Sequence, residues 1–347
     1  MTELDLETPA PVVDLDRLER NLSRWQERCD ELGLASRPHV KTHKCTEIAR
    51  RQVELGAAGL TCQTLGEAET MIDAGLDDLL VATFVLGERK LAHLADLLER
   101  AAVTVVTDDA RVLQGLDRAA ASAGRELRVL VECDTGLGRT GVADPEAAAA
   151  LAAAVAGFGS LRFAGFLTYP SPPGATAFLA RAVELAQRAG LEVETVSAGG
   201  TPAMWAAAEL LPTVTEYRAG TYAFHDRATV AAGAATPDDV ALTVCATVVS
   251  RPARDRAILD AGSKALSSDL SAENGFGLVL EAPHSTLVKL NEEHGYLELA
   301  DGDELELGQQ VRIVPNHACV VANLFAELAL VRDGALIGSW PVDARGR

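Results

Sequence analysis

The 347-residue chain lacks a basic tail, a long apolar run and paired cysteines, and each absence removes a class of function. Lysine and arginine number 31 against 50 aspartates and glutamates, a formal net charge of −19. Binding to nucleic acid or an anionic membrane through a broad basic patch is therefore not expected. The first residues, Met1-Thr2-Glu3-Leu4-Asp5, carry neither a basic nor an apolar stretch, so no secretory signal is expected. The most apolar run, Ala147 to Gly157, is alanine-rich and too short to span a bilayer. Six cysteines (Cys29, Cys45, Cys62, Cys133, Cys245 and Cys319) stand apart with no C-x-x-C pair and read as reduced thiols, which points to the cytoplasm. No low-complexity linker separates the parts of the chain.

What is there is ordinary in bulk: 48% hydrophobic and 23% charged residues, as in a soluble globular protein. The length fits one large α/β domain and a smaller one. Between residues 10 and 230 short β-rich segments alternate with helical ones. The expected strands are Arg37–Val40, Gly59–Gln63, Leu79–Phe84, Val103–Thr107, Leu127–Cys133, Phe163–Tyr169, Glu192–Ser197 and Thr213–Ala219. Leu15–Leu32, Cys45–Glu54, Leu65–Ala74 and Arg89–Arg100 carry apolar residues at helical spacing, with Asp14 and Asp109 as N-caps and Gly33 and Gly75 as stops.

Eight strand–helix repeats over about 220 residues match a (β/α)₈ TIM-type barrel. An open doubly wound sheet shares that signature, but no G-x-G-x-x-G follows the first strand. From Asp239 the rhythm becomes all-β: Val240–Ser250, Ala257–Asp260, Gly277–Leu280, Ser285–Leu290, Gly295–Leu299, Gln309–Val314 and Glu327–Arg332. Asp301-Gly302-Asp303 and Arg332-Asp333-Gly334 are turn signals. The expected division is a barrel over 10–235 and a C-terminal β domain over 236–347, with residues 1–9 packed on the latter.

Barrels carry their chemistry at the C-terminal ends of strands. Lys41, in Arg37-Pro38-His39-Val40-Lys41-Thr42-His43-Lys44, falls at the end of the first expected strand. A lysine whose pKa is lowered by burial or by cationic neighbours can form a Schiff base; a basic, solvated loop is the alternative. Lys44 is expected to begin the following helix. Two glycine loops follow the last two strands, Ser197-Ala198-Gly199-Gly200-Thr201 and Ala219-Gly220-Thr221-Tyr222. Their backbone N–H groups could hold a phosphate, although most glycine loops are only turns. Together with Lys41 they suggest a phosphorylated aldehyde cofactor.

Arg139, in Asp134-Thr135-Gly136-Leu137-Gly138-Arg139-Thr140-Gly141, could meet the cofactor ring or a substrate carboxylate, or be a surface arginine. Tyr169 could pack against the ring or line the barrel rim, and Arg218 is a rival of Arg139 for the pyridine nitrogen. In Val314-Pro315-Asn316-His317-Ala318-Cys319, an extended backbone would send His317 and Cys319 to one side. Imidazole and thiolate together favour Zn²⁺ over Mg²⁺ or Ca²⁺ and leave positions open for water or substrate. The plainer reading is a buried cysteine beside a hydrogen-bonded histidine.

The octapeptide at Arg37, Asp134–Gly141, S-A-G-G-T-P, D-A-G-S-K-A-L-S-S-D at Asp260–Asp269, E-E-H-G at Glu292–Gly295 and P-N-H-A-C occur in this order along essentially the whole chain. They resemble the D-serine dehydratase/D-threonine aldolase family, fold-type III pyridoxal 5′-phosphate enzymes with an alanine-racemase-like fold. The resemblance implies that Lys41 carries the cofactor as a Schiff base. It implies that Gly199, Gly200, Thr201, Gly220 and Thr221 hold the phosphate, that Tyr169 lies near the cofactor, and that His317 and Cys319 bind Zn²⁺ or another divalent metal.

A small D-amino acid substrate and a homodimer are implied as well. The dehydratase branch resembles H-x-C at the metal, whereas D-threonine aldolases usually have aspartate where Cys319 stands. Dehydration of a D-β-hydroxy-α-amino acid to a 2-oxo acid and ammonia is therefore expected, with retro-aldol cleavage as the alternative and a racemase or a non-catalytic carrier behind it. Tyr169-Pro170-Ser171-Pro172 departs from relatives, which often have histidine or glycine just after the tyrosine.

Overall fold

A computed structural model describes residues 4–172, 174–270 and 274–346. They fall into two compact units. One comprises Trp25–Lys41 and Ile48–Gly220; the other comprises the chain up to Arg24, Thr42–Glu47 and Thr221–Gly346.

Eight parallel strands form the sheet of the first unit, in the order Ala35–Ser36, Glu216–Arg218, Thr195–Gly199, Leu161–Thr168, Leu127–Cys133, Ala102–Thr107, Asp78–Val81, Leu60–Cys62. Its two ends meet. The Ser36 carbonyl accepts from Ala58 N–H at 2.8 Å, the Pro38 carbonyl from Thr61 N–H at 2.8 Å, and His39 bridges Thr61. The sheet is thus a TIM-type barrel filled by Leu80, Val106, Leu130, Ala164 and Leu167.

Helices follow from apolar spacing and caps. Glu88–Arg100 buries Leu91, Leu94, Leu97 and Leu98 on one face. Thr64 caps Leu65–Asp73, and Asp144 caps Pro145–Ala156 through Ala147 N–H, with Pro145 in the first turn, where its missing N–H costs nothing. That alanine-rich helix, 12 residues long, is the apolar run singled out above. Among the described residues no helix is long and apolar enough to cross a membrane.

Each expected barrel strand is found, but the first is displaced. Strand Ala35–Ser36 replaces Arg37–Val40, and Lys41 stands on the 3₁₀ turn Val40–Thr42. Hydrogen bonds continue beyond that strand, from Arg37 N–H to Tyr217 O and from His39 N–H to Ala219 O, while Pro38 faces the other neighbour, where its carbonyl accepts from Thr61 N–H. Lys44 does not begin a helix: it sits at φ 52°, and the helix starts at Thr46.

The second unit holds a nine-stranded sheet. Leu242–Ala253 is its centre, pairing antiparallel with Ala10–Asp14, Arg256–Leu259 and Gln310–Pro315. Ala10–Asp14 also pairs in parallel with Glu327–Arg332, and Leu4 and Leu6 pack on Val12, Cys245 and Ala329. Glu327–Arg332 turns through Asp333-Gly334, both at positive φ, into Ala335–Pro341, as an Asp-Gly hairpin should. The strands Ala10–Asp14 and Ala335–Pro341 were not expected from the pattern. All six cysteines are free, and only Cys319 is not buried.

Candidate active site

Of the expected cofactor residues, Lys41, Arg139, Tyr169, Gly200, Thr201 and Gly220 follow strands of the barrel unit, Gly199 ends its strand, and Thr221 opens a 3₁₀ turn in the second unit. Lys41 is exposed, and its N–H lies 3.4 Å from Nδ1 of buried His39. Gly200, at φ 115°, leads into the 3₁₀ helix Thr201–Leu210; a Cβ there would lie 3.0 Å from the Tyr169 ring. Only glycine combines that backbone with that approach. The hydroxyl of Thr201 accepts from Gly220 N–H at 3.3 Å, which ties the two glycine loops together, and Tyr217 Oη donates to Gly200 O at 2.8 Å. The N–H groups of Gly199 and Gly200 are likewise taken, by Ser171 Oγ and Arg218 O at 3.0 Å each, so three of the expected phosphate donors are engaged within the protein.

The two arginines differ. Arg139 is exposed and lies 5.5 Å from the centroid of the Tyr169 ring, a cation–π contact. Arg218 is buried and donates from Nε to Ser197 Oγ at 2.8 Å and from Nη2 to Thr168 O at 2.6 Å. Ser197 Oγ donates in turn to Glu216 Oε1 at 2.6 Å, and Glu216 Oε2 accepts from Arg37 Nε at 2.6 Å. Burial lowers the pKa of Arg218, against the nearby charges of Glu216 and Glu132.

Sequence reasoning passed over Glu132, a buried carboxyl one residue before the end of its strand. Burial raises its pKa, against a 2.6 Å hydrogen bond from Thr140 and the charges of Arg218 and Arg139.

The second unit brings His317 and Cys319 together, but not on a strand. His317 is the extended N-cap of the helix Ala318–Leu324, and Cys319 lies in its first turn, so a cap and a turn set their approach where strand alternation was expected. The residue that organises them is Asp226, fully buried and 91 positions from His317. Its Oδ2 accepts from His317 Nδ1 at 3.0 Å and Ala318 N–H at 2.9 Å, and its Oδ1 from Thr229 N–H at 2.8 Å.

Burial alone would raise the Asp226 carboxyl; those hydrogen bonds hold it below the usual range. Asp226 and then Cys319 lift His317 to about 10 against burial. The Cys319 thiol is pushed up by burial, but His317, Thr42 and Thr221 bring it below its ordinary value. A carboxylate on Nδ1 fixes that proton and leaves Nε2 as the nitrogen at which a metal would replace the second proton, the arrangement of metal-bound histidines.

Among the described residues no group of three or more His, Cys, Asp and Glu could hold a metal. His317 and Cys319 thus form a two-residue donor set, and their nitrogen and sulfur suit zinc. Asp226 was legible only as the start of a capping box with Thr229, which says nothing of His317.

Residues 13–228 match the alanine racemase N-terminal domain, and residues 241–331 a putative serine dehydratase domain. The chain belongs to the alanine-racemase-like, fold-type III pyridoxal-phosphate enzymes. It is 36% identical to D-threonine aldolase of Arthrobacter sp., over 98% of this chain and 93% of the relative. It is equally 36% identical to D-threo-3-hydroxyaspartate dehydratase of Delftia sp., over 96% of this chain and 97% of the relative.

A solved structure of a D-threo-3-hydroxyaspartate dehydratase, a cysteine-to-alanine mutant in the metal-free form, superposes with a TM-score of 0.88 at 34% identity, covering 97% of each chain. A histidine-to-alanine mutant of a dehydratase of that name has also been solved, its substituted position two residues before that cysteine. These relatives are enzymes, and lyases of D-hydroxy amino acids.

Proposed function

We propose that this protein is a pyridoxal-phosphate- and metal-dependent lyase that removes water from a D-β-hydroxy-α-amino acid, yielding a 2-oxo acid and ammonia. The observation that carries the reading is the Asp226-anchored His317 with Cys319 two residues on. A histidine and a cysteine at the same spacing are each replaced by alanine in the dehydratase mutants, the cysteine mutant being in the metal-free form.

When bound, the cofactor draws electrons from the substrate α-carbon and the metal acts as a Lewis acid on the β-hydroxyl, a poor leaving group by itself. Lys41 Nζ would hold the cofactor and would serve as the base that takes the α-proton. Gly199, Gly200, Thr201, Gly220 and Thr221 would line the phosphate, the N–H groups of Gly199, Gly200 and Gly220 being engaged by Ser171 Oγ, Arg218 O and Thr201 Oγ1. Arg218, buried and braced by Ser197 and Thr168, meets the ring nitrogen, and a guanidinium can only donate there. Tyr169 packs beside the ring, and Arg139 on its face takes the substrate carboxylate. Nε2 of His317 and Sγ of Cys319 hold the metal, Zn²⁺ by the chemistry of the donors, while Asp226 keeps the Nδ1 proton in place. A cytoplasmic homodimer completes the proposal, supported by the family resemblance and the free cysteines.

Incubation with D-serine, D-threonine and D-threo-3-hydroxyaspartate should release ammonia and a 2-oxo acid. Glycine and an aldehyde would instead establish the aldolase reading, which the equal identities to the aldolase and the dehydratase, 36% each, leave level with the first.

A further inference from the structure

Two hydroxyls meet Cys319, and they belong to the residues that directly follow Lys41 and Gly220 in the chain. Thr42 Oγ1 lies 3.2 Å from Cys319 Sγ, 277 positions away, and Thr221 Oγ1 lies 3.6 Å from it, 98 positions away. Thr42 is fully buried. A threonine in a tight turn more often spends its hydroxyl on a nearby backbone group. Here two such hydroxyls, from distant parts of the sequence, converge on one sulfur.

A protonated thiol can donate to Thr42 Oγ1. A thiolate can only accept, so both hydroxyls must then turn their protons toward sulfur. O–H donors on a metal-bound thiolate orient it and spread its charge, as second-shell partners of ligands do.

We infer that Thr42 and Thr221 are positioning residues for the sulfur ligand, fixing where Cys319 Sγ points and how strongly it holds the metal. This rests on the reading of His317 and Cys319 as metal ligands. Thr42, the closer and the more buried, is the dominant partner. Valine at either position keeps the shape and removes the donor, whereas serine at 42 keeps the donor.

The test strips the full-length, cofactor-loaded protein of metal and titrates Zn²⁺ back against a chromophoric chelator. Co²⁺ in place of Zn²⁺ reports the sulfur bond through its thiolate-to-metal absorption band. Thr42→Val should bind Zn²⁺ about 10–100-fold more weakly and shift that band, the range seen for lost second-shell partners. Thr42→Ser should restore both, and Thr221→Val should show the smaller loss. Wild-type Zn²⁺ affinity and an unmoved band in Thr42→Val overturn the inference. If circular dichroism shows Thr42→Val misfolded, Thr221→Val decides instead, and wild-type affinity there is the overturning result. Cys319→Ala separates the two levels: undiminished Zn²⁺ affinity in that variant removes the metal reading itself, whatever the threonine variants do.

Discussion

The barrel unit and the β-sheet unit build their functional groups in opposite ways. In the barrel, repetition places the groups: each strand ends in a loop, and Lys41, Arg139, Tyr169, Gly200 and Gly220 each follow a strand in turn. In the sheet unit one buried carboxylate places them, because Asp226 holds both the ring of His317 and the N–H that opens its helix. A periodic scaffold distributes chemistry along the sequence, whereas the second arrangement concentrates it on one carboxylate with two long-range hydrogen bonds. The barrel should therefore lose function residue by residue, and the sheet unit should lose it through Asp226 as through its ligands.

The largest expected effect is on the barrel side. Lys41→Ala should remove the visible absorbance of the lysine-bound cofactor and lower turnover by at least about 10²–10⁴-fold, the usual contribution of a positioned proton acceptor. Survival of that band after borohydride-free purification would remove Lys41 from the role. On the other side, Asp226→Asn keeps a side-chain acceptor for Thr229 N–H but leaves His317 Nδ1 without its carboxylate. Metal affinity should fall about 10–100-fold while far-UV circular dichroism stays unchanged. An Asp226→Asn protein that binds Zn²⁺ as the wild type does would erase the contrast between the units.

The same contrast explains what could be read beforehand. All eight barrel strands were legible because alternation of apolar strands and amphipathic helices is a local pattern. The first was displaced because its paired register ends at Ser36 and the turn at Val40–Thr42 begins before Lys41. In the sheet unit seven strands were legible, but Ala10–Asp14, flanked and interrupted by prolines, and the exposed edge Ala335–Pro341 carry no clean alternation. His317 and Cys319 were found by composition, yet assigned to a strand, since nothing near them reveals that Asp226 and Ala318 N–H start a helix there. Glu132, Thr42 and Asp226 escaped notice because their roles exist only through partners that folding supplies.

A smaller effect distinguishes backbone from side-chain constraint within the barrel. Gly200→Ala places a Cβ 3.0 Å from the Tyr169 ring on a backbone at φ 115°. The strain should cost about 1–3 kcal/mol, seen as a lower melting temperature and weaker cofactor binding. If the ring alone were the obstacle, adding Tyr169→Ala would restore stability. Because the φ belongs to the loop itself, the double variant should remain weak.

The smallest effect concerns the histidine that precedes Asp226, and it has the opposite sign to that of His317. His225 is 3% exposed, and among the described residues its Nδ1 has no hydrogen-bond partner. Burial lowers its pKa to about 4, against the attraction of Asp239 and Asp226. Between the unfolded value near 6.5 and this folded one, the unfolded chain takes the proton first. Stability is therefore full above about pH 6.5 and declines as pH falls toward 4, by roughly 2 kcal/mol at pH 5. His225→Asn removes the titration, and asparagine tolerates the φ of 51° found there. Urea midpoints at about pH 7.5 and pH 5 should fall further in the wild type than in the variant. An equal fall in both would mean that His225 charges freely in the folded protein, and that Asp226 has two protonated histidines as neighbours in place of one.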